Sequence, residues 1–433
     1  MAGNYSIPLV ALESTEGKKL VRKITLGRTA RNEEVRRVVE KVLSAIQKQG
    51  DRALFAYTEK FDRKRVTAKT VRLSSAYIER QAKQVTSELA ATIRESAKRI
   101  KVYHRQQKAP AFSIKTAEGK LSQIIRPLNR VGVYIPGGYT VYPSTVLMNV
   151  IPAQIAGVKE IVAVTPPRDE LDPLIAYVLK LLKVEEVYQI GGAQAVGALA
   201  YGTKSIPAVD KIVGPGNSYV AAAKKLVYGT VDIDSVAGPS EVAALVDTTV
   251  DPSWVALDLL SQAEHGSGDE IAICVTENRR FAERIQKALL QEIDVSPVRG
   301  VFTKLAGHAI ALFITGSREA SIAFINTLAP EHLQIMTKTC REDLKKIRNA
   351  AAIFLGPYTP VALGDYFIGT NHVLPTGSAA RYASPLGVES FVKRLSVAEV
   401  SRAGLQQAAP HVSRFARAEH FIHHALSVER RVQ

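Results

Sequence analysis

From residue 130 onward, short apolar runs alternate with Ala- and Leu-rich stretches of helical spacing, and that alternation predicts the architecture. Val131-Gly132-Val133-Tyr134-Ile135 reads as a buried strand, residues 144–150 as a helix and Glu160-Ile161-Val162-Ala163-Val164 as the next strand. Glu186-Val187-Tyr188-Gln189-Ile190 and Lys211-Ile212-Val213 continue the series, each followed by glycine and an Ala-rich helical stretch. A second series begins at Glu241-Val242-Ala243-Ala244-Leu245-Val246, passes through a helix over 254–260 and goes on with strands over 271–275, 309–314 and 352–355. Such alternation predicts parallel sheets covered by helices on both faces, here in two similar units.

The flanking segments have a different texture. Residues 33–49 and 76–107 place charged residues on one side and Val, Leu, Ile and Ala on the other, so the chain to about residue 123 reads as a helical lead-in. After Thr376, helices are predicted over 387–403 and 411–431. That tail is too thin to hold a core alone and is expected to pack on the body or on a partner subunit. The expected fold class is α/β, with two Rossmann-like, incomplete doubly wound units. The expected divisions are a lead-in over 1–125 packing on the second unit, a first unit over 126–239, a second over 240–376 and a tail over 377–433.

Composition narrows the class. The chain has 433 residues, 46% hydrophobic and 23% charged, which suits packed α/β cores. The uncharged run over 131–158 is interrupted by Pro136, Gly137, Gly138, Pro143 and Pro152, which excludes a membrane span there. Met1-Ala2-Gly3-Asn4-Tyr5 opens no secretory signal, so a cytoplasmic protein is expected. Cys274 and Cys340 are too few for a disulfide framework, and Cys274 sits in a buried-strand pattern as a small core hydrophobe. Any metal must therefore mainly use His, Asp, Glu or Gln. The net charge of +16 raises nucleic-acid binding, but the basic residues are spread among carboxylates and belong to no nucleic-acid module. A solvated surface, or attraction of an anionic cofactor or substrate, accounts for them better.

Several clusters carry candidate chemistry. Gln262 and His265, three apart at the end of an apolar helix, share one face and supply half of a divalent-metal site suited to zinc; alone, they read more readily as helix-end polar residues bonded to their own loop. Gly214-Pro215-Gly216-Asn217 joins a strand to a helix, where backbone amides attract phosphate and Asn217 can serve as the N-cap. No Gly-x-Gly-x-x-Gly fingerprint occurs, so a dinucleotide would not bind in the usual Rossmann way. Pro136-Gly137-Gly138 and Gly191-Gly192-Ala193-Gln194 lie at strand ends, where α/β ligands collect. Glu331-His332 sets two proton-transfer groups side by side before an apolar strand, although alone the dipeptide reads more readily as a surface pair at a strand entrance. Gly364-Asp365-Tyr366, Gly369-Thr370-Asn371-His372 and, in the tail, Glu419-His420 with His423-His424 complete the polar clusters.

Assembled in order, these blocks resemble the histidinol dehydrogenase family over nearly the whole chain. Val133-Tyr134-Ile135-Pro136-Gly137-Gly138, Tyr142-Pro143-Ser144-Thr145, Ile190-Gly191-Gly192-Ala193-Gln194, Gly214-Pro215-Gly216-Asn217, Ala237-Gly238-Pro239-Ser240-Glu241, Ser261-Gln262-Ala263-Glu264-His265, Ala329-Pro330-Glu331-His332-Leu333 and Asn371-His372-Val373-Leu374-Pro375-Thr376 carry it. The resemblance implies zinc held by Gln262, His265, Asp365 and His424, the last from the neighbouring subunit of a homodimer with swapped tails. It implies oxidation of L-histidinol to L-histidine through L-histidinal with two NAD. His332 would take the alcohol proton and Glu331 would activate the water that adds to the aldehyde. Ser240, His372 and Glu419 match substrate-pocket positions, Glu419 suiting a cationic amine; Tyr134, Gln194 and Asn217 match NAD contacts. The sequence departs from the family pattern at Gly266-Ser267-Gly268 and in the tail, where His420 and His423 are rivals to His424 as ligand.

Overall fold

The computed structural model describes residues 6–29, 33–137, 141–236, 238–266, 268–305 and 310–433. Expectations attached to Met1-Ala2-Gly3-Asn4-Tyr5, Gly138, Ala237, Ser267 and Ala309 lie outside the described residues.

The chain opens with β1 (Leu9–Ala11), α1 (Thr15–Thr29), α2 (Glu33–Gln49), α3 (Asp51–Asp62), α4 (Ser75–Ala82), α5 (Ser87–Arg105), β2 (Phe112–Lys115) and β3 (Gly119–Pro127). The first α/β unit follows as β4 (Arg130–Tyr134), α6 (Pro143–Ala156), β5 (Glu160–Thr165), α7 (Pro173–Leu181), β6 (Glu186–Gln189), α8 (Gly192–Tyr201), β7 (Lys211–Val213), α9 (Ser218–Val227) and β8 (Asp232–Ile233). The second contains β9 (Glu241–Val246), α10 (Pro252–Ala263), β10 (Ile271–Thr276), α11 (Arg279–Val295), α12 (Arg299–Leu305), β11 (Ile310–Ile314), α13 (Arg318–Leu328), β12 (His332–Met336), α14 (Cys340–Leu344), β13 (Ala352–Leu355) and α15 (Val361–Tyr366). β14 (Val392–Val400), α16 (Arg402–Ala418) and α17 (Ile422–Val432) end the chain.

The first unit forms a sheet in the order β6-β5-β4-β7-β8 and the second in the order β1-β11-β10-β9-β12-β13, with every pairing parallel. In β4, β9, β10 and β12 every residue is buried, because helices cover both faces and no side of the pleat meets water. The α/β fold class holds, with helices at both ends of the chain. None of the described helices is long and apolar enough to cross a membrane. Cys274 is fully buried, and burial pushes its thiol up to about 12, as a core hydrophobe requires.

Three local expectations are corrected. The lead-in is expected on the second unit, but four of its helices pack on the first: β1 extends the second sheet beside β11, whereas α2 packs on α8 and α9, α3 on α8, α4 on α7 and α5 on α6 of the first unit. The single helix expected over 76–107 breaks after Ala82, and Thr86 starts a new helix by accepting the N–H of Leu89. The helix expected over 387–403 is largely β14, which lies antiparallel along β3, with β2 on the other side of β3. Beyond it, α16 and α17 pack mainly on each other and leave Phe415, Phe421 and Ile422 exposed.

Candidate active site

The candidate catalytic residues gather at the amino ends of β9 and β12, which are neighbours in the middle of the second sheet. Glu241 opens β9, and its peptide groups organise the pair that opens β12. Its N–H donates to Glu331 Oε2 at 2.9 Å, and its carbonyl oxygen lies 3.0 Å from His332 Nδ1. The Glu241 carboxylate in turn accepts the N–H of Gly377 at 3.0 Å. With Nδ1–H donating to the carbonyl, a neutral His332 carries its lone pair on Nε2, a buried atom with no partner among the described residues.

Burial shapes every charge here. It pushes the Glu331 carboxyl well above the usual carboxylate range, and the charges of Glu241 and Asp365 push the same way. It raises Asp365 to about 7. It lowers His332 to about 4, with further opposition from His265 and His372, and lowers His372 to about 4 with opposition from His265. These mutual effects place Glu331, His332, His265, His372 and Asp365 in one electrostatic cluster. Ser240 Oγ lies 2.8 Å from His265 Nδ1, fixing that ring at the end of α10.

Among the candidate residues, three buried atoms have no partner among the described residues: Gln262 Oε1, His332 Nε2 and His372 Nε2. Each unsatisfied buried atom costs roughly 1–3 kcal/mol, and a bound ligand or ion is one way such a cost is offset. An amide oxygen, an imidazole and a carboxylate from Gln262, His265 and Asp365 suit zinc. One chain falls short of a full set: among the described residues, no three His, Cys, Asp or Glu side chains form a metal-holding group. Glu419 and His424 do not join the cluster within the chain. Both are exposed at the corner between α16 and α17, where the His424 ring packs on Phe421 at 5.0 Å.

His372 is held by a buried brace that its sequence does not announce. Asn371 Nδ2 donates to Met148 O at 2.8 Å and lies 3.3 Å from His104 Nε2, while Asn371 Oδ1 accepts Val373 N–H at 2.8 Å. His104 is completely buried, and its Nδ1 is 2.6 Å from Gln107 Oε1.

The second group of candidates lies at the carboxyl edge of the first sheet. Tyr134 ends β4, its hydroxyl accepting the N–H of Gly192 at 3.0 Å while burial pushes the phenol up to about 12. Gln194, in the first turn of α8, donates from Nε2 to Asp62 Oδ2 at 3.0 Å and leaves its buried Oε1 without a partner. Asn217 does cap α9, its oxygen accepting the N–H groups of Tyr219 and Val220 at 3.1 Å each. Gly214, at φ 106°, is required: a Cβ there would stand 2.2 Å from the Tyr134 carbonyl oxygen. A buried ion pair clamps this turn, Lys224 Nζ donating to the Gly214 carbonyl at 2.9 Å and to Asp234, which accepts the Gly214 N–H at 2.7 Å. A Cβ at Gly191 would meet Pro166 Cγ at 2.5 Å, so the wall beside α8 is bare backbone.

Asp62 and Glu241 were not singled out by sequence reasoning. A carboxylate opening an otherwise apolar, fully buried strand was the available signal for Glu241; Asp62 looks like any polar residue at a helix end.

The sequence profile of histidinol dehydrogenase matches residues 27–432. The histidinol dehydrogenase of Bacillus thuringiensis is 44% identical over 419 residues, 95% of this chain and 96% of its own. That of Streptococcus mutans is 41% identical over 399 residues, 92% of this chain and 93% of its own. The crystal structure of histidinol dehydrogenase from Elizabethkingia anophelis superposes with a TM-score of 0.91 at 35% identity, covering 99% of both chains. With catalytic candidates at the amino ends of β9 and β12 and likeness along almost its entire length, the chain belongs to the histidinol dehydrogenase family.

Proposed function

We propose that this protein oxidises L-histidinol to L-histidine through L-histidinal, with two NAD as acceptors and one zinc per subunit, as the last step of histidine biosynthesis in the cytoplasm. The supporting observation is that the backbone N–H and carbonyl of Glu241 hold Glu331 and His332 side by side, with His332 Nε2 left without a partner among the described residues. Overall, alcohol, water and two NAD become carboxylate, two NADH and three protons.

Gln262, His265 and Asp365 hold the metal with His424 of a second copy of the chain. Bound zinc supplies an electrophilic anchor for the substrate's imidazole and amine, and NAD supplies the hydride acceptor. Ser240 and His372 line the substrate pocket, and Glu419 of the second copy faces the cationic amine. His332 Nε2 takes the alcohol proton as hydride leaves carbon; its depressed basicity keeps the lone pair available and returns the proton readily. Glu331, pushed up by burial, is a stronger base than an ordinary carboxylate and draws a proton from the water that adds to the aldehyde. Tyr134, Gln194 and Asn217 receive the cofactor at the carboxyl edge of the first sheet.

The swapped homodimer accounts for the tail. α16 and α17 bury little against their own body, and their apolar residues and Glu419 and His424 face outward. The account is tested by following NADH formation from L-histidinol on purified protein before chelation, after chelation and after zinc return. Activity lost and then restored supports it; activity indifferent to chelation contradicts the metal assignment.

A further inference from the structure

Asp62 is a half-buried carboxylate with no ion-pair partner among the described residues, although Arg63 and Lys64 follow it in sequence. It ends α3. Arg63 then turns left-handed at φ 54°, and Lys64 pairs with Asp169 in the connection after β5. The end of α3 is therefore tied to the carboxyl edge of the first sheet. Gln194 Nε2 donates to one oxygen of Asp62 at 3.0 Å, and the Asp62 charge reaches the Tyr134 hydroxyl. If Asp62 served only to anchor Gln194, the amide of an asparagine would do the same without a desolvated charge. A carboxylate kept in this setting points to donors that arrive with a ligand.

A ribose offers two adjacent hydroxyl donors that a carboxylate accepts well. Orientation follows from the sheet. The turn carrying Asn217 stands beside β8, and the chain after β8 runs into Ser240, so the reactive end of a dinucleotide belongs on that side. The start of α8 and Asp62 then face its adenosine end. We propose that Asp62 reads the adenosine ribose, accepting hydrogen bonds from both hydroxyls of NAD and rejecting the 2′-phosphate of NADP by charge. The proposal rests on the reading of this edge as the NAD site, and it places cofactor selection on a lead-in helix outside the sheet.

The test is calorimetric titration of the full-length, zinc-loaded protein with NAD and with NADP, without substrate. The wild type binds NAD tightly relative to NADP. Asp62→Asn weakens NAD by about tenfold or more while NADP holds or improves, so that the preference falls by at least that factor. Asp62→Ser, which also removes the charge, shows the same shift, and L-histidinol binding is unchanged in both. Equal losses for the two nucleotides, or none, overturn the proposal and leave Asp62 as an anchor for Gln194. A wild type that binds no NAD overturns the cofactor reading, and this proposal with it.

Discussion

His332 Nδ1 lies 3.0 Å from the carbonyl oxygen of Glu241, on the strand next to its own. That one contact selects the tautomer and turns Nε2 toward the site. His332→Ala is expected to slow histidinol oxidation by about 10²–10⁴-fold. Rapid-quench measurement of the first NADH checks it; an unchanged first step contradicts the assignment.

Glu331 is held by the backbone N–H of the same residue, Glu241, and the proposed mechanism assigns it to the other half-reaction. Glu331→Gln keeps a hydrogen-bond acceptor for the Glu241 N–H and loses the base. Histidinal oxidation is expected to fall by about 10²-fold or more, with histidinol-to-histidinal conversion affected less. Undiminished turnover of supplied histidinal rules out this division of labour.

Lys224 tests the architecture beneath the cofactor edge. Its pair with Asp234 is buried, and Lys224→Met leaves a carboxylate held only by the N–H groups of Gly214 and Ser235. Destabilisation of about 3–5 kcal/mol is expected, at the low end because those two donors remain. Denaturant midpoints of the two proteins measure it, and a change below ~1 kcal/mol contradicts the burial argument.

Asp62 gives a pH signature in stability. Burial raises its carboxyl from 3.8 to about 6. A raised folded value means that the native state holds the proton more tightly, so the group's favourable contribution is complete below 3.8 and is lost as pH rises through about 6. Asp62→Asn should therefore melt higher than wild type at pH 8, and the gap should close toward pH 4. A gap that widens on acidification refutes this.

The two parallel sheets were legible because their strands are short apolar runs separated by glycine turns and Ala-rich helices, a signal carried by local sequence. β14 was not. Val392, Leu395 and Ala398 recur at helical spacing, and nothing local reports that Lys120 and Ile124 lie opposite Glu399 and Leu395. β1 escaped for a related reason, being three residues that acquire meaning only beside β11, some 300 residues away. The break at Thr86 was available in Thr86-Ser87-Glu88, a cap with an acidic first turn. At the site, the chemistry-bearing side chains were visible as residue types, but the device that aligns them is the backbone of Glu241, which no side-chain pattern reveals. The brace of His104 on Asn371 is hidden likewise, because it joins residues 267 positions apart.

Sharing of the site between subunits has its own signature. His424→Ala and His265→Ala are each expected to be inactive, and mixing them under conditions of subunit exchange should recover activity approaching a quarter of wild type, since one intact site forms per heterodimer. No recovery after exchange is verified by mass contradicts the swapped tail.

The central claim is a four-electron oxidation carried out at one site. The most direct measurement counts NADH formed per L-histidinol consumed by the zinc-loaded protein, with the product identified. Two NADH per histidinol, with L-histidine as product, is the expected result; one NADH with an aldehyde accumulating, or no turnover despite bound zinc, would contradict it.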